Sequence, residues 1–175
     1  MQSAENRVII ASAGSRKTTY LVEEAIKRSE SKILILTYTN ENLNQLRTYF
    51  LERVGFIPIN VTIQSWFSFL LRDGVRPYQN LLYGGPRIET IYFPQRPQDF
   101  REKRRYINKS NTEKYYFVQG KNIIVDLASN FVFNCNSVSN GLVIDRLEKI
   151  WHGSETQGVR LTLWSQAQQG KWIIG

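Results

Sequence analysis

Cysteine and histidine are nearly absent from this chain of 175 residues, which has one of each, Cys135 and His152. A single cysteine excludes a framework of internal disulfides and is consistent with a reducing compartment, so we expect a cytoplasmic protein. A lone histidine disfavours both a metal site built on several imidazoles and Ser-His-Asp catalysis. Because no histidine companion is evident for Cys135, we interpret this cysteine as a small structural residue.

Long apolar runs and acidic residues are also scarce. No apolar run approaches the roughly 20 residues of a membrane span, and the polar N-terminus carries Glu5, which argues against a signal peptide. Asp and Glu number 15 against 23 Lys and Arg, which gives a net charge of +8. This excess favours a polyanionic partner, with nucleic acid ahead of an anionic membrane.

Strand and helix patterns alternate through the first 74 residues. Apolar runs predict strands at 7–12, 32–37 and 60–63. The helices between and after them are predicted at 17–28, at 41–54 with Asn40 as N-cap and Gly55 as stop, and at 65–73 with Ser65 as cap. This order is typical of an α/β domain with a doubly wound parallel sheet.

The rest of the chain changes in composition twice. Residues 75–121 hold four of the five prolines and predict a small inserted subdomain with possible strands at 87–93 and 114–118. Its basic run at 101–105, REKRR, is either a solvated loop or a contact to a phosphate backbone. Residues 122–151 are predicted to return to the core, with 123–134 open between helix and strand and 141–151 helical. Residues 152–175 form an atypical tail rich in Gln, Gly and Trp, in which KWIIG resembles another strand.

The stretch VIIASAGSRKTT, residues 8–19, combines a buried strand, a turn of small residues and the start of a helix. P-loop proteins hold phosphates in this arrangement, with backbone N–H groups around the phosphates and a lysine at the β/γ end. Ala11 and Arg16 stand where the motif has glycines, so an ordinary strand–turn–helix with a surface lysine is the alternative. The threonine hydroxyl of Thr18 would bind Mg²⁺. The candidate nucleotide-binding residues are Ala13, Gly14, Ser15, Arg16, Lys17, Thr18 and Thr19.

Three blocks in order resemble the UvrD-like superfamily 1 DNA helicases. ASAGSRKTT, TYTNENLNQLR at 37–47 and VTIQSWFSFLLR at 61–72 are similar to the family's AxAGSGKT, TFTNKAAxEMxxR and T-x-H-S-F…L-R segments. Further on, GLVIDRLEKIW at 141–151 resembles the helix before the family's Walker B strand. The resemblance implies the N-terminal part of the first RecA-like motor domain, a P-loop NTPase with helices on both faces of a parallel sheet. It also implies binding of ATP and Mg²⁺, and of single-stranded DNA across the sheet.

The same resemblance implies which residues contact DNA. Thr39 and Asn40 would contact the DNA backbone, and a helix beginning at Asn40 would offer N–H groups to a phosphate. Gln64, Ser65 and Trp66 occupy the third block, where the family also contacts the strand. Trp66 or Phe67 could stack on a base, and core packing is the alternative for either ring.

The departures from the family pattern concern catalysis. Arg16 replaces a loop glycine, and Gln64 replaces the usual histidine. At the Walker B position stands GSETQG, residues 153–158, in which Glu155 aligns with the catalytic glutamate but Ser154 and Gly158 replace the two aspartates. Without a carboxylate on the metal, hydrolysis loses a main electrostatic support.

Lys17 and Glu155 are therefore the candidate catalytic residues of a chain that we expect to hydrolyse ATP weakly or not at all. The family's second motor domain lies outside these 175 residues, so a second motor domain or a partner protein would have to complete the enzyme. We expect a truncated, frame-shifted or degenerate relative. The alternative is an inactive nucleotide- or DNA-binding remnant, or an interaction module.

Overall fold

The computed structural model describes residues 7–10, 16–152, 159–162 and 171–174 of the chain. The chain divides into two compact units. The first unit comprises Met1–Trp66 and Glu148–Gly175, and the second unit is Phe67–Leu147. A five-stranded and a three-stranded sheet, both accompanied by helices, confirm the mixed α/β class.

Five strands form the sheet of the first unit, in the order β1-β8-β7-β2-β3. In chain order they are β1 (Arg7–Ile10), β2 (Ile33–Thr37), β3 (Val61–Ser65), β7 (Val159–Thr162) and β8 (Lys171–Ile174). β2 pairs in parallel with β3 on one side and with β7 on the other. β8 is antiparallel to both β1 and β7, so the sheet is mixed and the prediction of a parallel sheet is wrong at this strand. It follows that β1, β7, β2 and β3 all run in the same direction.

Two helices follow the first two strands, and their buried side chains form the hydrophobic core together with those of the strands. They are α1 (Lys17–Lys27) and α2 (Asn40–Val54). All five residues of β2 are buried, as its continuous apolar run predicts for a strand inside a parallel sheet. The buried residues that pack into one cluster are Leu21, Val22, Ala25, Ile33, Ile35, Leu46, Phe50 and Val61.

Several predicted boundaries in this unit are shifted. Thr39, rather than Asn40, is the N-cap of α2, because its side-chain oxygen accepts a hydrogen bond from the Asn42 N–H at 3.2 Å. Gly55 ends the helix as predicted, with a left-handed φ of 79°. β3 continues to Ser65, so this serine belongs to the strand and does not cap the next helix. The helix that follows, α3 (Trp66–Phe69), continues as a π-helical turn over Leu70–Val75, beyond the predicted end at 73.

The second unit is built on three short strands and a helix rich in apolar residues. β4 (Thr90–Tyr92) pairs in parallel with β6 (Asn122–Ile124), and β5 (Phe117–Val118) pairs antiparallel to β6. Its helices are α4 (Pro97–Arg104), α5 (Thr112–Tyr116) and α6 (Val125–Val138), together with a 3-10 turn at Gln79–Leu81. The last helix that the structure describes, α7, spans Leu142–His152, as the pattern at 141–151 predicts.

Aromatic rings hold this small sheet against α6. Phe131 of α6 is fully buried, with ring centroids 5.0 Å from Tyr116 and 5.5 Å from Phe117. Edge contacts of this kind add to the burial energy of the rings. Cys135, one turn further along α6, is also fully buried, and burial raises the pKa of its thiol to about 12. A protonated, inaccessible thiol supports its interpretation as a structural residue.

The predictions for the middle of the chain need correction. The basic run 101–105 is not a loop, because residues up to Arg104 lie in α4. Arg101 forms an ion pair with Asp126 at 2.8 Å, and Arg104 donates to the carbonyl oxygen of Tyr115 at 2.8 Å. Of the possible strand at 114–118, only 117–118 is extended, since 112–116 is helical. The stretch at 123–134, for which the sequence left helix and strand open, contains both: a strand that ends at Ile124 and a helix that begins at Val125.

The observed units also differ in extent from the predicted segments. Residues 67–74 and 122–147 belong with 75–121 in the second unit. The tail supplies two strands of the first unit, β7 and β8, and the resemblance of KWIIG to a strand is confirmed by β8. No described helix combines the length and the apolar character that crossing a bilayer requires.

Truncation of Phe50 tests the core of the first unit. Phe50 is fully buried in α2, whereas the adjacent Leu51 is 54% exposed. We expect Phe50→Ala to lower the free energy of unfolding by about 3–5 kcal/mol, because the site is closely packed and the lost ring leaves a cavity. Leu51→Ala, the matched control, should change it by about 0.5 kcal/mol or less. Chemical denaturation of both variants measures the difference, and equal losses would contradict the observed packing.

Candidate functional site

The candidate residues lie at the carboxyl ends of three strands that run in the same direction. Lys17 begins α1 after β1, Thr39 and Asn40 follow β2, and Gln64, Ser65 and Trp66 come at the end of β3. Parallel strands place these ends at one edge of the sheet, which is where α/β proteins bind ligands. The fold therefore brings most of the described candidate residues to the same edge.

The register of β2 and β3 places the two candidate DNA-binding segments side by side. Leu36 is opposite Gln64, and Thr37 is opposite Ser65. β1 is three strand spacings away from β2, because β8 and β7 lie between them. At about 4.8 Å per spacing, the nucleotide loop would begin about 14 Å along the edge from β2. The two candidate sites thus share the edge without coinciding.

The start of α1 has an unusual backbone at Arg16. This residue is left-handed, with φ 56° and ψ 27°, and its exposed side chain makes no capping hydrogen bond. An L-residue adopts this conformation at a cost of about 1–2 kcal/mol, and glycine adopts it readily. Position 16 is where the motif has a glycine, so the backbone there keeps the conformation that glycine permits. Ala13, Gly14 and Ser15 lie outside the described residues.

The first turn of α1 carries the remaining candidate nucleotide-binding residues. Lys17, Thr18 and Thr19 are each half-buried, and no acidic residue occurs in this turn. The first N–H groups of a helix have no carbonyl partner within it, and the positive end of the helix dipole favours anions. The turn is therefore compatible with a phosphate group.

At the end of β2, two threonine hydroxyl groups hold the turn into α2. Thr37 is 1% exposed, and its hydroxyl donates to the carbonyl oxygen of Thr39 at 2.9 Å. Thr39 in turn caps α2, so its side-chain oxygen is committed to the helix. Asn40 is exposed as the first residue of α2, with no hydrogen bond from its side chain to the described part of the chain. Thr37 was not predicted as a site residue, although it opens the block at 37–47.

Gln64 is the most informative residue at the end of β3. It is 8% exposed, and its side-chain Nε2 is buried without a hydrogen-bond partner among the residues that the structure describes. A buried donor left unpaired costs about 1–3 kcal/mol, and such groups in folded proteins call for a bound partner or a function. This amide lies in the third block, where the resemblance implies a contact with DNA.

The two aromatic residues that follow Gln64, Trp66 and Phe67, differ in their surroundings. The ring of Phe67 packs edge-on against Phe93 with centroids 5.0 Å apart, which favours the packing alternative for Phe67. Trp66 is half-buried, so part of its ring faces solvent. Ser65 is also half-buried and lies opposite Thr37 in the register.

The candidate metal and catalytic residues are described only in part. Thr18 lies in the first turn of α1, and Glu155 lies outside the described residues. Within 7–10, 16–152, 159–162 and 171–174, no three His, Cys, Asp or Glu side chains are grouped so that they could hold a metal ion.

Comparison of the chain with protein-family models, with curated protein sequences and with solved structures finds no match. The resemblance to UvrD-like helicases therefore depends on the three sequence blocks and the segment at 141–151 alone. The structural observation that bears on these blocks is that they reach the carboxyl edge of the five-stranded sheet.

Two buried glutamines provide a matched test of the unpaired amide. Gln79, 6% exposed, accepts a hydrogen bond from the Ile88 N–H at 3.0 Å and donates to the Pro86 carbonyl at 3.2 Å. Replacing Gln64 by leucine should raise the free energy of unfolding by about 1 kcal/mol, because it removes an unsatisfied donor. Gln79→Leu should lower it by about 1–3 kcal/mol, because it leaves two backbone groups unpaired. Denaturation of both variants is the measurement, and a loss of stability in Gln64→Leu would show that this amide is satisfied.

Proposed function

We propose that this chain binds ATP and single-stranded DNA at the carboxyl edge of its five-stranded sheet, as a motor-domain part of a UvrD-like ATP-dependent DNA helicase. The observation that supports this is the meeting of three segments at one edge: the start of α1, the turn into α2 and the end of β3. They are the segments in which the three family-like blocks occur. A RecA-like P-loop NTPase architecture is part of the proposal.

The ATP site of this proposal is the start of α1 and the loop before it. N–H groups of the first turn would bind the phosphates, and the Lys17 ammonium would lie at the β/γ end. The left-handed backbone at Arg16 supports this, because it keeps the turn that the motif's glycine makes in front of the lysine. Mg²⁺, when bound, neutralises phosphate charge, and the hydroxyl of Thr18 would be its protein ligand.

The DNA site of this proposal lies at the ends of β2 and β3. Asn40 would donate a hydrogen bond from its side-chain amide to a backbone phosphate. Because it begins α2, the N–H groups of the first helical turn would face the same phosphate. The side chain of Gln64, whose Nε2 is buried and unpaired, would turn toward the strand to donate to it, and the half-buried Trp66 would stack on a base. The register that sets Thr37 opposite Ser65 supports a single contact surface for these residues.

Hydrolysis of ATP is not part of what we propose for the isolated chain. Glu155 is the one acid in the Walker B-like segment GSETQG, and a second motor domain or a partner protein would have to close the nucleotide site. Binding of ATP and DNA without turnover is therefore the expected behaviour. A remnant that binds neither ligand, or an interaction module, is the alternative outcome of the experiments below.

Nucleotide binding is tested with Lys17→Ala and a matched control. Lys32 is exposed and precedes β2, so it lies at the opposite edge of the sheet from the carboxyl ends. In a titration with a fluorescent ATP analogue and Mg²⁺, we expect saturable binding that Lys17→Ala weakens at least tenfold and Lys32→Ala leaves unchanged, since only Lys17 would meet a phosphate. Binding that the two variants weaken equally, or no binding by the wild-type chain, would contradict the ATP site.

DNA binding is tested on α2 with two asparagines. Asn40 begins the helix, and Asn44 is exposed one turn further along. Loss of a hydrogen bond to a phosphate should weaken binding of a labelled single-stranded oligonucleotide about three- to tenfold in Asn40→Ala. Fluorescence anisotropy at low salt measures this effect, and Asn44→Ala should bind like the wild-type chain. The same affinity in both variants would remove Asn40 from the proposed interface.

A further inference from the structure

A pocket of about 480 Å³ opens within the second unit and is rich in arginine. Its volume is within the range of about 300–1,000 Å³ that small-ligand pockets occupy. It is lined by three arginines, two amide residues, a proline and a glycine, which are Arg72, Arg76, Arg87, Gln79, Asn80, Pro77 and Gly85. None of these residues belongs to the candidate ATP or DNA sites.

The positive charge of this pocket is only partly offset. Arg72 is paired with Asp73, with 2.9 Å between Nη2 and Oδ2. Arg76 donates from Nε to the Ile88 carbonyl at 2.9 Å and from Nη2 to the Glu89 carbonyl, and these bonds to neutral acceptors leave its charge in place. Arg87 is exposed and makes no hydrogen bond or ion pair with the part of the chain that the structure describes. Two guanidinium charges therefore face the pocket without a carboxylate partner.

Hydrogen bonds hold the segment 83–88, which forms the wall of the pocket that carries Arg87. The side chain of Gln79 bonds to the backbone on both sides of it, at Pro86 and at Ile88. Gly85 lies beneath the ring of Tyr83, where an added Cβ would be 2.2 Å from a ring carbon. The Tyr83 hydroxyl donates to the Gly120 carbonyl at 2.8 Å, so the ring is fixed as well. The wall is thus organised before any ligand arrives, which reduces the entropy lost on binding.

We propose that this pocket binds the terminal phosphate monoester of a nucleic-acid strand. A monoester carries a charge of about −1.5 to −2 at pH 7, which matches the two guanidinium charges that have no carboxylate partner better than a singly charged diester does. Arginine binds phosphate with two parallel hydrogen bonds, and the exposed amide of Asn80 adds a neutral donor. The second unit has twelve Lys and Arg against seven Asp and Glu, so it favours a ligand with further phosphates.

The test compares one oligonucleotide with a 5′-phosphate and with a 5′-hydroxyl, each labelled at the 3′ end. We expect the full chain to bind the phosphorylated form about tenfold more tightly at low salt, as measured by anisotropy. Arg87→Gln should lose this preference, because Arg87 contributes a charge without a structural contact. Arg96→Gln removes the same charge from an exposed residue of the same unit that does not line the pocket, and it should keep the preference.

Three further arms make the result specific. Lys17→Ala should keep the tenfold preference, which separates this pocket from the proposed ATP loop. Asn80→Asp should abolish it by placing a carboxylate against the phosphate, and it replaces Arg87→Gln if that variant does not melt like the wild-type chain. A phosphoserine peptide should compete poorly with the phosphorylated strand.

Equal affinities of the wild-type chain for the two oligonucleotides would overturn the proposal. It would equally be overturned by a preference that Arg87→Gln keeps or that Lys17→Ala loses. Efficient competition by the phosphoserine peptide would replace the nucleic-acid assignment with a phosphopeptide site.

Discussion

The pairing of β2 with neighbours on both sides is the constraint on which the first unit depends. β2 exchanges backbone hydrogen bonds with β3 and β7, and its five side chains are all buried. A strand in this position cannot slip by one residue without reversing which side chains face each layer. The register therefore fixes Thr37 opposite Ser65, and it aligns the ends of the strands at which the candidate residues lie. Helix α2, capped by Thr39, starts from this fixed point.

Much of the first unit could be predicted from local sequence patterns, because its strands and helices have strong periodicity and clear end signals. The run at 32–37 and the stop at Gly55 are examples. The predicted ends of helices and strands are wrong by one or two residues where two neighbouring residues can both serve as a cap, as Thr39 and Asn40 can for α2. The second unit was harder, since its strands have only two or three residues and are determined by contacts between rings distant in sequence, such as Phe117 and Phe131.

The candidate site was predictable as a set of sequence blocks, but its geometry was not. Nothing in the local pattern of Gln64 indicates that its amide would be buried and unpaired, because that depends on what neighbouring strands and helices place around it. The arginine pocket was missed for a similar reason. Its cationic residues are spread over 72–87 and resemble scattered surface charges, until Gln79 and Tyr83 hold the wall that brings them together.

The position of β8 in the sheet has a consequence for the order in which the chain can acquire its structure. β1 pairs in the sheet with β8, which follows it in the chain by more than 160 residues and is therefore synthesised much later. The segment β2–α2–β3 has its partners close by in sequence and can assemble during synthesis, whereas β1 has to wait for Lys171–Ile174. Loop closure over so long a stretch is slow. β1 is therefore the last of the parallel strands to find its place, so the part of the sheet edge formed by β2 and β3 would be complete before the part formed by β1.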